Sequence, residues 1–125
     1  MKIPENLLYT LEHEWADFKK NIVIIGITDY AQSQLGDIIF VELPEIGSVY
    51  NSGDIFGEIE AVKTVSDLYA PISGKIIEVN DNIEINPELV NSDPYVDGWL
   101  IKIEPSHPKE KEELLSFNAY KNSLK

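Results

Sequence analysis

The chain contains no cysteine and no arginine, and its only histidines are His13 and His107. Without cysteine there are no disulfides, no thiolate-bound metal and no cysteine nucleophile. Any sulfur chemistry must therefore come from a cofactor. Two histidines do not make a histidine-rich metal site, and H-E-x-x-H is broken because residue 17 is an aspartate, so we expect no bound metal.

Motifs that activate a nucleophile or cradle phosphate are missing as well. The chain has no G-x-S-x-G, no P-loop and no G-x-G-x-x-G. We therefore expect no catalytic residues and a protein that is not an enzyme by itself. For His13, a structural or docking role is favoured over acid–base catalysis.

Long apolar runs and a basic surface are also lacking. No stretch approaches the roughly 20 apolar residues of a membrane span, so we expect no membrane partner. The net charge is −12 and would repel a phosphate backbone, so we expect no nucleic acid partner. The first fifteen residues resemble neither a signal peptide nor a transit peptide, which predicts a cytoplasmic protein.

What is present predicts one mainly β domain over residues 1–125. HEWADF and IVIIGIT flank a polar turn and predict a hairpin. Asp29 as N-cap and Gly36 as terminator predict a short helix near 29–35. Short strands with frequent turn signals follow, typical of a sandwich or barrel. A C-terminal helix is predicted at about 108–124 from its apolar spacing.

Two features mark the middle of the chain. Residues 36–41 and 74–79 both read Gly-x-Ile-Ile-x-Val and lie on either side of residues 62–64. EIEAVKTVSD, at 58–67, alternates like a hairpin, but its centre has no Gly, Asn or Asp. Lys63 there is the only cation between Lys20 and Lys75.

Charge pattern alone favours an ordinary surface lysine at position 63, paired with Glu60. Such an exposed ion pair contributes at most about 1 kcal/mol to stability. The alternative is a rigid turn that presents Lys63 outward as a handle for a second protein.

The sequence EIEAVKTVSDLYAPISGKIIEVN resembles the lipoyl-attachment region of the glycine cleavage system H proteins. Further matching segments, in the same order, are HEW at 13–15, GITDYAQ at 26–32, LGDIIFVELPEIG at 35–47 and PELVNSDPYVDGWLIKI at 87–103. Biotin carriers centre on M-K-M, whereas this chain has Val62-Lys63-Thr64. The chain is thus similar to the lipoyl carriers and not to the biotin carriers.

The resemblance implies a hybrid barrel-sandwich of two quasi-symmetric β halves. Lys63 would stand at an exposed tip and carry lipoic acid through an amide, as N6-lipoyllysine. The function implied is that of a non-catalytic carrier. It would shuttle the aminomethyl group of glycine between enzymes.

The implied partners are a pyridoxal-phosphate glycine decarboxylase (P protein), a tetrahydrofolate-dependent aminomethyltransferase (T protein) and dihydrolipoyl dehydrogenase (L protein). A lipoate ligase or an octanoyl or lipoyl transferase would attach the group. The alternative is an H-like protein that relays lipoyl groups to 2-oxoacid dehydrogenases.

The resemblance also implies a cleft that receives the end of the arm. His13, Glu14 and Asp67 are its candidate lining residues, and Glu60 is a candidate for recognition by the lipoylating enzyme, a role that Asp67 could share. Three positions depart from the family pattern: Glu12 replaces Ser or Thr, Ala61 replaces Ser, and Thr64 replaces Ala. Of these, Glu12 matters most because it adds charge near the expected cleft.

Overall fold

A computed structural model describes all residues, Met1–Lys125, and it is built mainly of two antiparallel sheets. The six strands of the first sheet are β1 Leu8–Tyr9, β2 Glu14–Lys19, β3 Ile22–Ile27, β5 Val49–Tyr50, β8 Gly74–Val79 and β9 Ile101–Pro105. Their spatial order is β1-β2-β3-β9-β8-β5. The second sheet holds β4 Ile38–Glu42, β6 Ile55–Ala61 and β7 Val65–Tyr69, in that order. The predicted β fold is confirmed.

The helices are short: α1 Asp29–Leu35, α2 Asp81–Ile85, α3 Leu89–Ser92, a 3₁₀ helix Pro108–Glu113 and α4 Phe117–Ser123. None is long and apolar enough to cross a membrane. The helix predicted near 29–35 is present and ends at Gly36, whose φ is 78°. Its N-cap, however, is Thr28 and not Asp29, because Thr28 is extended and its hydroxyl accepts from the Ala31 N–H.

A C-terminal helix is present, but the predicted extent of about 108–124 is divided between the 3₁₀ helix and α4. Leu114 is extended, with φ −82° and ψ 156°, and separates the 3₁₀ helix from α4. Leu115 exchanges two backbone hydrogen bonds with Tyr9, at 2.9 and 2.7 Å. This pairing to the edge of the first sheet takes the backbone groups that a continuous helix would use. Ser116 then caps α4 anew.

The main core lies between the two sheets. Ile25, Ile76 and Ile103 of the first sheet and Ile59 of the second are fully buried in it. A second, smaller cluster lies under α4 and contains Leu7, Tyr9, Trp15 and Tyr120. The C-terminal residues therefore pack on the β body, and α4 brings Tyr120 against the first sheet.

The two Gly-x-Ile-Ile-x-Val segments resemble each other in structure. The first segment begins just before β4, and its first isoleucine, Ile38, is buried. The second begins with β8, and its first isoleucine, Ile76, is also buried. Each strand also has a shift of register at the same place in the repeat, at 38–40 in β4 and 76–78 in β8. The quasi-symmetry implied by the resemblance therefore includes matching irregularities.

Candidate functional site

Lys63 lies in the turn between β6 and β7. The strands pair in antiparallel register up to Glu60 opposite Val65. Within the turn, the Ala61 N–H donates to the Thr64 carbonyl at 2.8 Å. No residue of 62–64 has a positive φ, which explains why the turn needs no glycine or asparagine.

A second contact anchors the turn from outside. The Val62 N–H donates to the carbonyl of Asp37 at 3.0 Å, just before β4. The peptide between Ala61 and Val62 is thus tied to the residue that precedes the neighbouring strand β4. Val62 and Val65 are nevertheless more than half exposed, so the turn protrudes while its backbone is held.

Lys63 itself is exposed and unpaired. The only ion pairs are Lys19 with Asp17 and Lys102 with Glu78. The pairing of Lys63 with Glu60 that charge pattern favours is therefore absent, although the two residues lie in one hairpin. Nothing within the chain engages the Lys63 amine.

A cleft of about 260 Å³ opens where α1 and the start of β2 face β6 and β7. It brings together three of the predicted site residues, His13, Glu14 and Asp67, and also Glu12. Its apolar wall comes from Ile27, Ala31, Leu35, Ile59 and Leu68, and Tyr30, Gln34 and Ser66 complete it. Lys63 and Glu60 are not among the lining residues. Three carboxyl groups and no lysine line this cleft, so it favours cationic groups.

Glu14 is the most buried acid of the cleft, with 1% of its surface exposed. The Thr10 hydroxyl donates to Oε1 at 2.7 Å and the Tyr69 N–H donates to Oε2 at 3.2 Å. Burial raises the pKa of Glu14 to about 8, with a smaller contribution from Glu12 that is opposed by these hydrogen bonds. Burial therefore favours the protonated carboxyl, and an approaching cation favours the carboxylate.

His13 lies beside Glu14 in a left-handed backbone conformation, with φ 70°. Its Nδ1 is 2.9 Å from the hydroxyl of Tyr120, and its ring centroid is 4.8 Å from that of Tyr30. Burial lowers the pKa of His13, and the nearby Glu12 partly opposes this. Burial thus favours the neutral imidazole.

Several residues of the site were missed from sequence. Thr10 and the Tyr69 backbone hold Glu14, and Tyr120 holds His13. Tyr120 does belong to the apolar stripe of the C-terminal segment, but that spacing indicates only burial. Its hydroxyl could be assigned a partner only once α4 was placed beside α1 and β1.

Residues 7–125 match the family described as Glycine cleavage H-protein. The chain belongs to this family. The H protein of Anaeromyxobacter sp. (strain K) is 55% identical over 121 residues, which cover 97% of this chain and 94% of that protein. The H protein of Bacteroides thetaiotaomicron is 54% identical over 121 residues, covering 97% and 96%. The resemblance drawn from the sequence motifs is confirmed.

A solved structure agrees with this. The crystal structure of a glycine cleavage system H protein from Mycobacterium marinum superposes with a TM-score of 0.89. The sequences are 39% identical, and the match covers 98% of both chains. The arrangement of the two sheets is thus that of an H protein.

The residues of this H-protein chain fit the lipoyl group that the sequence resemblance implies. The Lys63 amine is exposed and makes no ion pair, so an amide can form there without breaking a contact. Ser66 and Asp67 of the cleft lie on β7, only three and four residues beyond Lys63. The four residues from Lys63 to Asp67 span about 13 Å along a strand. This distance is more than a lysine side chain spans but is suited to a longer arm.

Proposed function

We propose that this chain is the lipoyl-bearing carrier of a glycine cleavage system, with lipoic acid joined by an amide to Lys63. The observation that carries the proposal is the exposed, unpaired Lys63 on an anchored turn, beside a cleft lined by acids. Family membership supports it independently. When bound, lipoic acid would supply a disulfide whose S–S bond breaks as one sulfur takes up the aminomethyl group and the other becomes a thiol, and the dithiol left after transfer would be reoxidised by the L protein.

The turn presents the lysine to successive partner enzymes in one orientation. Its two backbone hydrogen bonds limit the conformations that a modifying enzyme meets, which lowers the entropy lost on docking. Tethering also replaces diffusion of a small cargo by delivery at high effective concentration. We assign these partners as the P, T and L proteins, together with a lipoate ligase or transferase, in the cytoplasm.

The cleft protects the end of the arm from water. Its apolar wall suits the hydrocarbon part of the arm, and Glu14 and Asp67 suit a cationic amine at its end. A cation that enters lowers the pKa of Glu14 and so favours the ionised carboxylate that binds it. Glu60 lies opposite Val65, next to the turn, and this position near Lys63 supports a role in recognition by the lipoylating enzyme.

Intact mass and peptide mapping test the attachment directly. The protein is incubated with a lipoate ligase, ATP and lipoate, and we expect one lipoyl increment on the peptide containing Lys63. Lys63→Arg should take up none, while Lys75→Arg, which alters another exposed lysine, should match the unaltered protein. Attachment elsewhere, or none with a competent ligase, would overturn the assignment.

Exchange of labelled bicarbonate into glycine separates this function from relay of lipoyl groups to 2-oxoacid dehydrogenases. With a purified P protein, the lipoylated chain should support exchange, and Lys63→Arg should not. A lipoylated chain that supports no exchange but donates its lipoyl group to a dehydrogenase subunit would favour the relay.

A further inference from the structure

Tyr120 lies behind the cleft residue His13, and the carrier function leaves it unexplained. Its side chain is fully buried, and its ring stacks on Tyr9 with centroids 4.6 Å apart and planes 8° apart. Its hydroxyl has two neighbours, the Thr28 hydroxyl at 2.7 Å and His13 Nδ1 at 2.9 Å. A chain of three polar groups therefore runs from the N-cap of α1 to the cleft.

The direction of the protons in this chain follows from Thr28. Its hydroxyl oxygen accepts the Ala31 N–H at 3.2 Å as the cap of α1. The Thr28 hydroxyl proton has one acceptor within reach, the Tyr120 oxygen. Because Thr28 is fully buried, water cannot serve as the acceptor instead. Because buried hydroxyls donate as well as accept, Thr28 donates to Tyr120.

The Tyr120 proton must then go to the other neighbour. With its oxygen accepting from Thr28, Tyr120 donates to His13 Nδ1, which can accept only when it carries no proton. The neutral imidazole therefore holds its proton on Nε2. The opposite arrangement, with Nδ1 donating to Tyr120, would leave the buried Thr28 proton without an acceptor.

We propose that Tyr120 is a positioning residue that locks His13 in the Nε2–H tautomer, so that His13 offers the cleft a hydrogen-bond donor. His13 is then not a base through Nδ1. The cleft combines one neutral donor with the carboxyl groups of Glu14 and Asp67. It fits an amine that carries a hydrogen-bond acceptor, such as a sulfur or carbonyl oxygen, a few bonds away.

The tautomer is a property of the chain alone, whereas its use in holding the arm rests on the proposed function. The titratable groups that share the surroundings of His13 are Glu12 and Glu14 beside it in sequence, Tyr30 on α1, Asp67 on β7 and Tyr120 on α4. The Glu12 carboxylate favours the imidazolium, whereas burial favours the neutral ring, as does the hydroxyl that Tyr120 donates. The Tyr30 ring lies tilted against the imidazole and makes no hydrogen bond to it.

Long-range ¹H–¹⁵N correlation spectra of the unmodified, ¹⁵N-labelled protein read the tautomer directly. A His107→Gln variant assigns the signals, since only two histidines are present. Above the His13 midpoint we expect Nδ1 to appear unprotonated and Nε2 protonated. Tyr120→Phe should bring the two nitrogen shifts towards each other and raise the midpoint by about 0.5 to 1 pH unit.

Two controls isolate the hydroxyl chain. Tyr9→Phe removes a hydroxyl bonded to the Pro4 carbonyl, keeps the stacked ring, and should leave His13 unchanged. Thr28→Ser keeps the donor and should retain the tautomer, while Thr28→Val leaves the Tyr120 hydroxyl free to accept as well as donate and should only weaken the preference for Nε2–H. Protonated Nδ1 in the unaltered protein, or a tautomer unchanged in a folded Tyr120→Phe variant, would overturn the proposal. Neither result depends on whether Lys63 is lipoylated.

Discussion

The backbone N–H of Tyr69 donates a 3.2 Å hydrogen bond to Oε2 of Glu14. Tyr69 ends β7, the strand that starts just after Lys63, and Glu14 begins β2 of the other sheet. The Thr10 hydroxyl holds the second oxygen of the same carboxyl group. One buried acid thus joins the sheet that carries the turn to the first sheet.

This contact predicts a pH-dependent stability. The pKa of Glu14 is about 8 in the folded chain and close to 4.5 in the unfolded chain, so the folded state keeps a proton that the unfolded state releases. The stabilisation of the folded state by the Glu14 proton is complete below about pH 4.5 and is lost as the pH rises through about 8. The free energy of unfolding should fall over this window by at most about 1.4 kcal/mol per pH unit.

Urea unfolding from pH 5 to 8 measures the effect. Glu14→Gln keeps an oxygen for the Tyr69 N–H and an amide that can donate to Thr10, but it cannot titrate. Its stability should vary less over the same window. Equal slopes for the two proteins would contradict the buried-acid explanation.

Glu12 should influence both ionisable neighbours in the same direction. Its charge raises the pKa of His13 by favouring the imidazolium, and it raises that of Glu14 by opposing a second carboxylate. Glu12→Ser, which restores the residue type usual in the family, should therefore lower both pKa values. NMR titration measures this, and Glu45→Gln, an exposed acid outside the cleft, should change neither.

The Trp15 indole leaves no room for a side chain at position 26, where the chain has a glycine. Trp15 and Gly26 are paired across β2 and β3, and a Cβ on Gly26 would lie 2.7 Å from the Trp15 indole. The indole N–H also donates to the Pro94 carbonyl at 3.0 Å, so the ring cannot move away freely. Gly26→Ala should cost about 1–3 kcal/mol through overpacking. Chemical unfolding followed by tryptophan fluorescence measures it, and an unchanged midpoint would show that the ring relocates.

The backbone amide hydrogens of the turn at Lys63 should exchange slowly with solvent, although the segment is exposed. The Ala61 and Val62 N–H groups are both hydrogen-bonded, at 2.8 and 3.0 Å. Thr64→Gly should speed their exchange about three- to fivefold, because glycine adds conformational freedom worth up to about 1 kcal/mol. Hydrogen–deuterium exchange read by NMR, with the amide of buried Ile103 as reference, tests this. Unprotected amides in the unaltered protein would refute a rigid turn.

Local patterns predicted much of the fold. The β2–β3 hairpin, α1 with Gly36 at its end and the β-rich middle all follow from alternation and turn residues, which depend on near neighbours. The same patterns were misleading at 108–124. There the helical spacing is real, but the pairing of Leu115 with Tyr9 competes for the backbone and divides the segment.

The candidate site was predicted in part. Matching motifs pointed to Lys63 and to His13, Glu14 and Asp67, and the last three indeed line one cleft. The roles of Thr10 and Tyr120 had no signal in the sequence. A hydroxyl acquires its partner from the packing of distant elements, and no spacing rule carries that information.

The sequence by itself determined the alternation of strands and turns, the isolation of Lys63 among acids and the family. These properties depend on residue order over short spans. Only the tertiary structure decided that the pKa of Glu14 is raised, since that depends on burial. It also decided that the His13 side chain contacts Tyr120, which is 107 positions away in the sequence. Strand pairing and the packing of α4 on the first sheet bring these two groups together.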